Sequence, residues 1–428
     1  MKIIKYPTLA DFSELLRRPA INDQNLDSVV SDILLDVKTN GDAALKRYAE
    51  KFDGVVLEDL RVTEDEFKLA ESLVSPELKK SIETARKNIE KFHASQVESP
   101  KIIETSEGIQ CWRKSVAISK VGLYIPGGTA PLFSTVLMLG VPALIAGCKE
   151  VILCSPSDKN GKIHEAVLFT ASLLGIKKVY KVGGAQAIGA MAYGTETIPA
   201  VYKIFGPGNQ YVTCAKQLIQ KAGVAIDMPA GPSELAVFAD ETCVPAFVAA
   251  DLLSQAEHGT DSQVILVSTS EDVIEKVIRE VYLQLELLPR KKMASESLSH
   301  SKAILLRDDS EALHLLNEYA PEHLILACKN YESIAEQVEN AGSVFLGNFS
   351  CESAGDYASG TNHTLPTNGY AKAFSGVSLD SFLKKITFQK ITETGLASIA
   401  DAIERMAEAE GLQAHKNAVS IRINKTEK

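Results

Sequence analysis

From Ser119 onward the chain alternates short apolar runs with longer stretches of helical period, and few architectures accommodate that rhythm. SKVGLYIPGG leads into a helical segment ending at Cys148, followed by KEVILCSP, a helix to Leu174 and KKVYKVGG. AQAIGAMAYG, YKIFGPG and the helical NQYVTCAKQLIQKAG continue the pattern. Strands joined by helices in this way form parallel sheets with helices on both faces. A second series opens at ELAVFAD, residues 234–240, and runs through VPAFVAADLLSQAEH, SQVILVST, EDVIEKVIREVYLQLELL, SKAILLRD, EALHLLNEYA, HLILAC, YESIAEQVENAG and SVFLG. Two similar α/β halves suggest a duplicated architecture, although their residue identity is faint. The first 115 residues read as helix-rich and charged, residues 376–412 as mainly helical, and the following AHKNAVSIRI as a strand.

A chain of 428 residues is too long for one hydrophobic core, and two to four compact units are expected. Its net charge of -10 argues against a nucleic-acid surface, so a small-molecule substrate fits better. Seven cysteines lie scattered without CxxC pairs, which implies neither a disulfide framework nor a Cys-ligated zinc site and suggests a reducing, cytoplasmic setting. MKIIKYPTLADFSELLRR lacks the apolar core of a secretory signal. The uncharged stretch from Ala130 to Cys148 is interrupted by Gly140 and Pro142 and reads as a buried helix, so no membrane partner is expected.

Gly and Pro punctuate the strand ends of the first series: IPGG at 125–128, VGG at 182–184 and GPGN at 206–209. Turns at the carboxyl ends of parallel strands let backbone approach phosphates, which makes a nucleotide plausible. No GxGxxG occurs, and the nearest match, GPGNQY, has Tyr211 at the last glycine position, so these turns also read as simple connections.

Four segments carry candidate chemistry. In DLLSQAEHG, Gln255 and His258 lie three residues apart, about 60° around a helix, and share a face. They could converge on a metal or simply make ordinary hydrogen bonds, since Gln is an uncommon zinc ligand. ESAGDYASGTNHTLPT places Asp356 and His363 in a Gly/Ser/Thr-rich loop, functional or merely solvated. LQAHKNAVSIR places His415 near the C-terminus. In YAPEHLIL, Pro321 stops a helix and Glu322 and His323 open a strand. An adjacent carboxylate and imidazole suit two deprotonations, but neighbours on a regular strand face opposite ways, so both serve one site only at a bent strand end; an ion pair at a turn is the alternative.

Taken together, these segments with GLYIPGG, VGGAQAI, KIFGPGN and DMPAGPSE resemble the histidinol dehydrogenase family from about Val121 to Ile423. The resemblance implies oxidation of L-histidinol through L-histidinal to L-histidine with two NAD+ and one Zn2+ per site. Its zinc ligands would be Gln255, His258, Asp356 and His415. His323 would be the general base and Glu322 would activate water. Ser233, His363 and Glu410 would surround the substrate, and Tyr124, Gln186 and Asn209 the NAD+. The implied fold is α/β, with two incomplete Rossmann-like parallel-sheet domains plus small, mainly helical N- and C-terminal segments. Its divisions would be a helical arm at 1–24, a catalytic domain at 25–118 with 236–374, an NAD domain at 119–235, and a dimerisation segment at 375–428. In the implied homodimer, His415 and Glu410 reach the partner's site. Two other readings remain for the residues alone: a zinc hydrolase using Glu322-activated water without nucleotide, and a structural zinc site, for which the absence of Cys from the set is unfavourable.

Overall fold

The computed structural model describes residues 1–19, 25–127 and 131–424. Gly128 of the IPGG turn, Ala130 at the start of the uncharged stretch and residues 20–24 of the expected arm lie outside them. The chain divides into two compact units, one of residues 1–95 and 118–381, the other of 96–117 and 382 onward.

The first unit holds two wholly parallel sheets. One has the order Lys2–Lys5, Lys302–Leu305, Gln263–Ser268, Glu234–Ala239, His323–Ala327, Ser343–Leu346. The other has the order Lys178–Lys181, Glu150–Ser155, Lys120–Tyr124, Lys203–Phe205, Ala225–Ile226. Apart from the edge strand Lys2–Lys5, the chain visits both sheets in one order: first strand central, next two to one side, last two to the other. The shared order supports the duplicated architecture. Strands Glu234–Ala239, Gln263–Ser268 and His323–Ala327 are buried at every residue, which is why they read as near-continuous apolar runs instead of alternating ones.

Lys2–Lys5 differs from the expected helical arm. Four residues are too few to show a period, and their strand state comes from pairing with Lys302–Leu305, three hundred positions along the chain. Helix Phe133–Ala146 is buried from Ser134 to Ala143 and accommodates both Gly140 and Pro142. A Cβ at Gly140 would stand 2.6 Å from Leu174 Cδ1, so the glycine permits close packing against the next segment. Among the described residues, no helix is long and apolar enough to cross a membrane.

The second unit is an antiparallel sheet in the order Leu383–Ile391, Ile109–Ala117, Ile103–Ser106, followed by helices Glu393–Ala409 and Gln413–Asn424. Two expectations are corrected here. Leu383–Ile391, within a stretch expected to be mainly helical, pairs along its whole length with Ile109–Ala117, and Trp112 stacks on Phe388 at 5.4 Å. AHKNAVSIR, expected to be a strand, belongs to helix Gln413–Asn424. Its Val-Ser-Ile alternation imitates a strand, yet only Val419 is buried while Ile421 is 58% exposed. Ser420 Oγ donates to Glu404 on the preceding helix, tying the two together.

Candidate active site

Two helices and one strand end of the first unit converge. Helix Pro245–Ala256 begins with Pro at its first position, where a missing N–H costs nothing, and it ends at Glu257. This places Gln255 in the last turn, 1% exposed, and His258 just beyond it, exposed to solvent. Helix Asp309–Tyr319 is closed by Ala320 in the left-handed region, with φ 51° and ψ 64°, and Pro321 cannot extend it. A non-glycine residue in that region is uncommon and turns the chain sharply. The turn bends the strand end so that Glu322 and His323 serve one place, which a regular strand forbids.

Glu322 Oε2 accepts hydrogen bonds from the Glu234 amide at 2.9 Å and from Gln255 Nε2 at 3.2 Å. His323 Nδ1 lies 3.3 Å from the Glu234 carbonyl and 3.6 Å from Glu322 Oε2, and its Nε2 lies 3.4 Å from Asp356 Oδ1. Asp356 comes from the segment read as a loop, which contains a short helix, Glu352–Tyr357. His363 follows it, with Nδ1 2.9 Å from the Asp356 carbonyl and Nε2 3.0 Å from Thr135 Oγ1. Asn362 Nδ2 donates to the Met138 carbonyl at 2.6 Å, so this segment is tied to helix Phe133–Ala146.

The charges are unevenly matched. Burial disfavours the charged form of His323, but the carboxylates of Glu322 and Glu352, with contacts to Asp356, more than offset it and push its pKa well above the usual histidine value. Burial opposes ionisation of Asp356, yet its contact with His323 and the nearby rings of His363 and His258 hold it below the ordinary range. Burial lowers the pKa of His363 and pushes that of Glu352 well up. Gln255 Oε1, Asp356 Oδ1, both carboxylate oxygens of Glu352 and His323 Nε2 are buried without a hydrogen-bond partner. One ligand atom each from His258, Glu352 and Asp356 lies within 4.8 Å of the others. Lone pairs gathered without donors fit a bound cation.

The five-stranded sheet carries a cavity of about 960 Å³ at the carboxyl ends of its strands. Tyr124, Ser155, Gly184, Gln186 and Asn209 help line it, from four different strand ends. Tyr124 Oη accepts from the Gly184 amide at 3.0 Å, and burial pushes its pKa up to about 12. Asn209 caps helix Gln210–Ile219 by accepting from the Tyr211 and Val212 amides. Gly206 has φ 129°, and a Cβ there would lie 2.0 Å from the Tyr124 carbonyl oxygen. Buried Lys216 and Asp227 form an ion pair around this turn: Lys216 donates to the Gly206 carbonyl and Asp227 accepts from the Gly206 amide. These features suit a nucleotide laid across strand ends.

The histidinol dehydrogenase family model matches residues 16–423. The histidinol dehydrogenase of Bacteroides thetaiotaomicron is 61% identical over 424 residues, covering 99% of each chain. The chain belongs to the histidinol dehydrogenase family. The Salmonella typhimurium enzyme is 50% identical over 413 residues, 96% of this chain and 94% of that one. A crystal structure of histidinol dehydrogenase from Elizabethkingia anophelis superposes with a TM-score of 0.98 at 57% identity, covering 100% of this chain and 99% of that one. The family's α/β architecture is thus the one described above, and the chain is a dehydrogenase.

Of the residues singled out from sequence, Gln255, His258, Glu322, His323, Asp356 and His363 come together in the first unit. Ser233 precedes strand Glu234–Ala239, its carbonyl accepting from the Gln263 amide. Tyr124, Gln186 and Asn209 meet at the cavity. Glu410 and His415 belong to the second unit, where both are exposed. Sequence reasoning passed over Glu352, whose signal was its four-residue spacing from Asp356. It also passed over Glu234, which receives Arg18 in a buried ion pair while its amide orients Glu322.

Proposed function

We propose that this chain oxidises L-histidinol through L-histidinal to L-histidine, the closing steps of histidine biosynthesis, with two NAD+. The carrying observation is the set of buried acceptors without donors, Gln255 Oε1, Asp356 Oδ1 and Glu352, gathered beside a histidine whose Nδ1 is already committed. Gln255, His258 and Asp356, with His415 of the partner subunit in a homodimer, would hold one Zn2+. Bound there, the ion would orient the substrate's nitrogen donors, and NAD+ would take the hydrides.

His323 Nδ1 faces two acceptors, the Glu234 carbonyl and the Glu322 carboxylate, so it carries the ring proton. In the neutral ring Nε2, buried without a hydrogen-bond partner, takes the hydroxyl proton of the alcohol, and the carboxylates that raise the pKa of His323 stabilise the imidazolium that forms. Glu322 is steadied through Oε2, and its Oε1 accepts nothing from the described residues, so it can take a proton from the water that attacks the aldehyde. Two adjacent acceptors thereby serve two half-reactions, each base contributing roughly 10²- to 10⁴-fold in rate. Ser233, His363 and Glu410 would line the substrate, and Tyr124, Gln186 and Asn209 the NAD+ in the cavity.

The test is the amount of NADH formed per L-histidinol consumed, with and without a zinc chelator. Two NADH, abolished by chelation and restored by zinc, is the expected result. One NADH would remove the water-activating role from Glu322; none would favour the hydrolase.

A further inference from the structure

Glu352 opens helix Glu352–Tyr357 one turn before Asp356, so the two carboxylates share a face. Its backbone amide donates to the carboxylate of Asp251, which pins this helix start to helix Pro245–Ala256 one turn before Gln255. Glu352 is 1% exposed, and neither of its oxygens has a hydrogen-bond partner. Of the neighbouring acids, Glu322 accepts two hydrogen bonds, and Asp356 Oδ1, which also lacks a hydrogen-bond partner, at least faces the His323 ring at 3.4 Å. A buried carboxylate without donors is costly unless a cation meets it.

Charge points the same way. Gln255 and His258 are neutral donors, and Asp356 supplies one negative charge, which leaves a divalent ion half compensated in a largely water-excluded pocket. Zinc ligands stand about 2.0–2.2 Å from the metal and therefore roughly 3–4 Å from each other. The donor atoms of His258, Glu352 and Asp356, within 4.8 Å of one another, need only small side-chain adjustment to reach that spacing. We infer that Glu352 is a metal-facing carboxylate which supplies the second negative charge to the ion in the substrate-free enzyme. The inference rests on the metal-containing reading of this site and adds to it a residue outside the four ligands the resemblance implies.

The experiment measures zinc affinity of the substrate-free full chain by competition with a chromophoric chelator, for wild type, Glu352→Gln and Glu352→Asp. Wild type is expected to bind about one zinc per chain, Glu352→Gln to bind it roughly 10- to 100-fold more weakly, and Glu352→Asp to fall between. Thermal melts of the metal-free proteins give a second readout. Glu352→Gln removes a carboxylate that lacks a donor, so its metal-free melting temperature should rise, whereas a purely structural glutamate would make it fall. Unchanged zinc affinity in Glu352→Gln with normal wild-type binding would overturn the assignment and leave the metal site standing. Failure of wild type to bind zinc would overturn both.

Discussion

At the scale of single residues, the proposed division of proton transfer rests on two side chains that adjoin in sequence and are held in different ways. His323 is fixed by its Nδ1 contacts, and Glu322 by the Glu234 amide and the Gln255 side chain. His323→Asn should therefore lower both half-reactions by roughly 10²- to 10⁴-fold, because in the proposed reaction His323 takes the hydroxyl proton of the alcohol and acts again as the hydrated aldehyde gives up the second hydride. Glu322→Gln keeps the shape of the side chain and should spare oxidation of L-histidinol to the aldehyde while slowing oxidation of supplied L-histidinal by a similar factor. Single-turnover assays with each substrate distinguish them, and equal losses in Glu322→Gln would refute the division of labour. The pair was legible because Pro321 marks a helix stop directly before it. The left-handed Ala320 that lets both residues serve one site was not, since only the packed helix end and strand impose that conformation.

At the scale of elements, the weight falls on how the short helix Glu352–Tyr357 seats against the sheet. A Cβ on Gly355 would lie 2.7 Å from the ring of Phe345, and that ring sits 5.9 Å from the His323 imidazole, centroid to centroid. Gly355→Ala should push the helix, and Asp356 with it, away from strands His323–Ala327 and Ser343–Leu346. Overpacking of this kind costs about 1–3 kcal/mol, readable as a lower melting temperature. Turnover should fall further than stability suggests, because catalytic geometry tolerates little displacement. Phe345→Leu introduced into the Gly355→Ala chain makes room for the methyl group and should recover much of the turnover; no recovery would place the defect elsewhere. The shared face of Gln255 and His258 was legible from helical period, which left open whether they meet a metal or make ordinary hydrogen bonds. Asp356 was singled out only as a loop residue, and Glu352 was hidden, because their helix is six residues long and embedded in a Gly/Ser/Thr-rich stretch. Leu383–Ile391 escaped detection for a related reason: its partner strand lies far away in sequence.

At the scale of the whole molecule, the repeated strand order carries a division of work. The five-stranded sheet offers a cavity at its carboxyl ends, while in the six-stranded sheet the proposed catalytic pair sits at the amino end of strand His323–Ala327, beside strand Glu234–Ala239, with His323 paired with Leu235. The strand-helix rhythm made both sheets legible, yet it is silent about which end of each is used; that follows from bent termini and loop packing. It is equally silent about Glu410 and His415, which lie exposed in the second compact unit. If His415 completes the metal site of the partner subunit in a homodimer, two separately inactive proteins must complement each other. His258→Ala damages the site in its own chain, and His415→Ala damages the site of its neighbour. Mixed and allowed to exchange subunits, they form heterodimers with one intact site and one doubly damaged site. At random pairing about a quarter of wild-type activity should return. A His415 acting within its own chain predicts no recovery, because every site in every dimer would then lack one ligand. Recovery that tracks the fraction of heterodimer, followed by mass spectrometry of the intact assembly, would assign the C-terminal segment to the partner.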